Sequence, residues 1–119
     1  MQRILQLAFW LAVALTLYFC LRHVTVVLPI SDKKQHAFTF GGLTLLAGIA
    51  YPHRKIWAEA FALSGFGALI EFIQPYFGRD KDVKDWIADT IGILVALVVI
   101  SVLRRLLAQR DKEAQARGA

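Results

Sequence analysis

The stretch GALIEFIQPYFGRDKDVKDWIADTIGILVALV, running from Gly67 to Val98, decides how this chain folds. It opens apolar and places Glu71 and Gln74 three residues apart. It then meets Pro75, passes through a run of charges from Arg79 to Asp85, and turns apolar again around Asp89. Two apolar helices joined at a polar edge would read this way. An ionisable side chain inside or just under a bilayer is costly, and is therefore a functional-site candidate by default. A second charged stretch, Ser31-Asp32-Lys33-Lys34-Gln35-His36, precedes another apolar run. If the chain crosses a membrane four times, both charged stretches lie on one face.

Working outward, four apolar spans are expected, at about residues 4–21, 35–51, 56–77 and 85–107. Each is about as long as a helix needs to be to cross a hydrocarbon core of about 30 Å at 1.5 Å per residue. The expected fold class is therefore all-α, a four-helix transmembrane bundle with short loops, filling residues 1–108. A polar tail, 109–119, is expected to be frayed or disordered. Val24 to Ile30 is β-branched and contains Pro29, which predicts an extended connector. Ser31 or Asp32 is positioned to cap the second span. Gly41, Gly42, Thr44, Ala47 and Gly48 suit close helix packing. Pro75 predicts a kink or the start of unwinding.

Composition agrees with a membrane reading. The chain has 119 residues, 57% of them hydrophobic, and a mean hydropathy of +0.51; soluble domains are about 45–50% apolar even when Gly is counted. The net charge is +5. Because the basic residues flank apolar spans, they point to lipid headgroups and orientation rather than nucleic acid. One cysteine, Cys20, excludes an internal disulfide and a cysteine-based metal cluster, and no cofactor is expected. The basic start Met1-Gln2-Arg3 imitates a signal peptide, but the apolar run continues to Leu21, too long for a cleaved segment. With the N-terminus inside, eight Lys and Arg fall on the inner side and six on the outer. This places both termini in the cytoplasm and turns the charged loops outward.

Residues three or four apart share a helix face. That spacing groups Asp32, Lys33 and His36 at the start of the second span, Glu71 and Gln74 at the end of the third, and Asp82, Asp85 and Asp89 at the start of the fourth. Three helix ends can thus aim polar groups at one centre. Asp80, Lys81, Asp82 and Lys84 read as solvated loop charges, and Glu59 is spaced to pair with Lys55. Several chemistries fit the remainder. A pocket for an anionic lipid-linked or cell-envelope group would use Lys33 and Arg79 on a phosphate or carboxylate, with His36, Glu71, Asp85 and Asp89 placing them or acting as acid and base. A divalent metal site could use His36, Glu71, Asp85 and Asp89, but no metal-binding signature supports it. A proton or ion path has little room among four short helices. The opposing reading is a salt-bridge network that only closes the bundle, in a non-enzymatic scaffold or assembly factor.

The ordered set Asp32-Lys33-Lys34-Gln35-His36, Glu71-Phe72-Ile73-Gln74, Gly78-Arg79 and Asp85-Trp86-Ile87-Ala88-Asp89-Thr90-Ile91-Gly92 resembles the VanZ-like family over roughly residues 31–95. Asp89 stands where that family often has Asn. The resemblance implies a small multi-pass protein of the bacterial cytoplasmic membrane. It carries the polar pocket to Asp32, Lys33, His36, Glu71, Gln74, Arg79, Asp85 and Asp89, and it supplies no biochemical activity.

Overall fold

A computed structural model describes residues 1–21, 32–78 and 82–118, with the backbone only of Asp32. Its α-helices are α1 (Gln2–Leu21), α2 (Asp32–Ala50), α3 (Ile56–Ile73) and α4 (Val83–Gly118), and a 3-10 turn, Gln74–Phe77, extends α3. The described residues contain no strand, and the chain is all-helical. The connector 24–30 and Ser31 lie outside the described residues, as does the side chain of Asp32.

The helix limits follow local chemistry. Pro75 lacks an N–H, so α3 stops at Ile73 and the chain tightens into the 3-10 turn. Gly78 closes that turn in the left-handed region at φ 76°, which a residue without Cβ adopts freely. A break was expected at Pro75, and it takes the form of tighter winding, not unwinding. The tail differs from expectation, because α4 continues to Gly118. Residues 108–117 are mostly Ala, Gln, Arg, Lys and Glu, all good helix formers, and Gln109 Nε2 donates to Glu113 Oε1 one turn on, at 3.4 Å.

Among the described residues, three helical segments are long and apolar enough to cross a membrane: α1, α3 with its 3-10 extension, and α4. α2 is not among them, so the expectation of four such spans holds for three. Its first turns carry the polar residues Lys33, Lys34, Gln35 and His36. The other helices surround α2, which packs most extensively on α4 and also against α1 and α3. Phe40, Leu43, Ala47 and Ala50 of α2 form the centre of the core, with Phe9, Ala60, Leu63, Ile70 and Ile93 around them. Large apolar side chains face outward on every helix, Leu7, Phe38, Trp57, Phe61, Phe72 and Val98 among them. An apolar exterior of this extent calls for a partner or a membrane.

Glycine sets how closely α2 and α4 approach. A Cβ on Gly92 would lie 2.0 Å from the carbonyl oxygen of Ala37, and one on Gly41 would lie 3.1 Å from that of Gly92. Gly48 likewise rests on Ile100. Gly42, grouped with them by sequence, meets nothing within 4 Å. At the end of the bundle where α2 finishes, Arg104 of α4 caps its carbonyls, donating to Gly48 O at 3.1 Å, Tyr51 O at 3.4 Å and Arg54 O at 2.8 Å. Gln6 of α1 adds a bond to Ala50 O at 3.2 Å. Glu59 pairs there with Arg54, at 3.5 Å, rather than with Lys55. Lys55 lies instead over the Trp57 ring, at 5.8 Å from its centroid.

Candidate functional site

The opposite end gathers the polar groups singled out by spacing. α2 and α4 both begin there, and α3 ends there. The partial positive charge at the two helix N-termini favours carboxylates at this end. Asp82 stands immediately before α4 and caps it, its Oδ1 accepting the Lys84 N–H at 2.9 Å. Its backbone N–H donates to Glu71 Oε2 at 3.0 Å, which ties α3 to the start of α4. Its Oδ2 accepts from Lys33 Nζ at 2.7 Å, which ties both to α2.

Lys33 also donates to Asp85 Oδ1, so one ammonium is shared by two carboxylates a helical turn apart. His36, one turn further into α2, donates from Nδ1 to Asp89 Oδ1 at 2.8 Å. Its Nε2 lies 3.6 Å from Asp85 Oδ2. The spacings Lys33–His36 and Asp82–Asp85–Asp89 therefore run side by side as two interlocking rails. Asp85 and Asp89 are buried, as are Glu71 and Gln74, while Lys33 and Asp82 are half-exposed. The Lys33 ammonium holds the Asp82 carboxyl below the usual carboxylate range, helped by the Lys84 N–H.

Gln74, at the start of the 3-10 turn, reaches the last helix. Its Nε2 donates to the Cys20 carbonyl near the end of α1, at 3.1 Å. Cys20 itself packs half-buried against the core, as its place in an apolar span predicts. Among the described residues, two acceptors in this cluster are buried without a hydrogen-bond partner, Glu71 Oε1 and Gln74 Oε1. Deeper in the bundle, Trp86 Nε1 donates to Ser64 O at 3.0 Å and the Ser64 and Thr90 hydroxyls meet at 3.1 Å, pinning α4 to α3.

The structure thus brings together Lys33, His36, Glu71, Asp85 and Asp89, with Gln74 beside Glu71 on the same helix end. Arg79 and the side chain of Asp32 lie outside the described residues. Asp82 is a correction, because it is a junction of three helices and not a solvated loop charge. Its signal was available in the Asp82-x-x-Asp85 spacing directly before an apolar run, which is the position of an N-cap. Lys84 is exposed. Among the described residues, no three His, Cys, Asp or Glu side chains are arranged to hold a metal ion.

Chemically, the cluster offers an imidazole oriented by a carboxylate, a lysine shared by two carboxylates, and two buried acceptor oxygens awaiting donors. Comparison with protein-family models, with curated proteins and with solved structures finds no match to this chain.

Proposed function

We propose that this chain is a VanZ-like multi-pass protein of the bacterial inner membrane, with both termini in the cytoplasm. In this reading all four helices are embedded. The polar cluster opens at the outward face, where it binds or modifies an anionic lipid or cell-envelope group. The supporting observation is the convergence of Lys33, His36, Glu71, Asp85 and Asp89 from α2, α3 and α4 at one end of an otherwise apolar bundle. Buried charges at such a place are expensive unless they are paired or used. Lys33, with Arg79, would face the phosphate or carboxylate of the ligand, and His36, held by Asp89, would serve as acid or base.

The second reading, a non-enzymatic scaffold or assembly factor closed by salt bridges, draws on the sharing of Lys33 between Asp82 and Asp85. An anion would have to compete with those carboxylates. Glu71→Gln and Asp85→Asn separate the two readings. Loss of cellular function at unchanged yield and thermal stability supports a binding site. Loss of folded protein supports the structural lock.

A further inference from the structure

Glu71 is only 4% exposed and Gln74 only 2%. Each has one half committed and the other unsatisfied. Glu71 Oε2 accepts the Asp82 N–H, and Gln74 Nε2 donates to the Cys20 carbonyl, while Oε1 of both residues has no partner among the described residues. The Gln74 amide cannot repair itself. Flipping the Gln74 amide would set its oxygen against the Cys20 carbonyl, acceptor against acceptor. A buried acceptor left without a donor costs about 1–3 kcal/mol. Two such acceptors, three residues apart on one helix end, call for a single group rich in donors.

Charge selects among donor-rich groups. In the described part of the cluster the four carboxyl groups of Glu71, Asp82, Asp85 and Asp89 gather around Lys33 and His36, and Lys33 is already shared by two of them. A further cation is favoured there over a neutral hydroxyl. A metal ion would want more carboxylate or imidazole ligands than these residues set around it. A primary ammonium brings one positive charge and three donors.

We infer that Glu71 and Gln74 recognise a primary ammonium group on the ligand's headgroup, with Glu71 Oε1 and Gln74 Oε1 as the accepting atoms. The inference rests on the proposal that the cluster takes a lipid or envelope headgroup. It narrows that group to one carrying an ammonium beside its phosphate.

The test uses the full chain in detergent micelles and counts bound lipid by native mass spectrometry. Phosphatidylethanolamine, phosphatidylcholine and phosphatidylglycerol with identical acyl chains are compared. Trimethylation keeps the charge and removes every N–H donor. Phosphatidylethanolamine is expected to bind about tenfold tighter than phosphatidylcholine, the equivalent of one charge-assisted hydrogen bond. Glu71→Gln should erase that difference. Equal binding of the two by the unaltered protein overturns the ammonium inference, and if phosphatidylglycerol binds as well the headgroup proposal survives it. Binding of none of the three overturns both. Competition by free ethanolamine would assign the ammonium to a soluble amine, and retention of the lipid against it would assign it to the membrane. The comparison of headgroups on the unaltered protein stands even if the Glu71 variant fails to fold.

Discussion

His36 on α2 and Asp89 on α4 meet at 2.8 Å beside the point where Gly92 lets the two helix backbones touch at Ala37. The polar contact and the close backbone approach depend on each other. A wider helix separation would part the imidazole from the carboxylate, leaving a buried Asp89 in need of a partner. The polar cluster is therefore held by packing chemistry several residues away from it.

Gly92→Ala should damage both. The added Cβ would fall 2.0 Å from a backbone carbonyl oxygen, which cannot swing aside as a side chain end would. Overpacking typically costs about 1–3 kcal/mol, and a backbone clash belongs at or above the top of that range. Gly42→Ala and Gly65→Ala, where a Cβ meets nothing within 4 Å, should be neutral or stabilising. Thermal unfolding of the three variants in detergent checks this, and a Gly92→Ala protein as stable as the Gly42→Ala one would contradict it.

Asp82 gives a pH dependence of known sign. Its carboxyl is lowered in the folded protein by Lys33, so its contribution to stability is present above the ordinary carboxylate range. That contribution is lost as pH falls through the depressed folded value. The thermal midpoint should therefore fall below about pH 4. Asp82→Asn keeps a capping side chain for α4 but gives up the charge. It should unfold at a lower temperature than the unaltered protein at neutral pH, with the gap between the two curves closing in acid. A gap that stays constant with pH would remove Asp82 from the ion pair.

Arg104→Lys tests the cap at the other end of α2. The guanidinium serves three carbonyls from one fork, a geometry an ammonium does not reproduce. A loss of about 1–2 kcal/mol is expected, discounted for partial exposure. Full stability in the lysine variant would reduce the cap to a surface contact.

Deleting residues 109–119 should leave the thermal midpoint nearly unchanged, because residues 109–118 are exposed and make no contribution to the core. Circular dichroism should lose the helical signal of 109–118. A lowered midpoint would show that the end of α4 supports the bundle.

Orientation is open to direct measurement. Asp80→Cys in a Cys20→Ser background should react with a membrane-impermeant thiol reagent added outside intact spheroplasts. Reaction only after the cytoplasmic side is exposed would invert the proposed topology.

Much of this molecule was legible in its sequence, and the reasons are specific. Apolar runs located the helices, and Pro75 marked where α3 is interrupted. Helical spacing found Lys33, His36, Glu71, Asp85 and Asp89, because the arithmetic of a helix face does not depend on neighbours. Other features were read wrongly for an equally specific reason. Asp82 was placed among solvated charges because its partners are remote in sequence, Lys33 by 49 residues and Glu71 by 11. The tail was expected to fray because polarity was weighed above helix propensity. Gly42 was grouped with Gly41 although only one of them faces α4.

The sequence by itself determined the helical class and the polar helix ends, since periodicity is a local property. Only the tertiary structure decided the pairing: that Lys33 is shared by two aspartates, that His36 turns to Asp89, that Gly92 sets the crossing, and that Glu71 and Gln74 each keep one oxygen without a partner. Those outcomes depend on distances between helices, and no spacing along a single chain contains them.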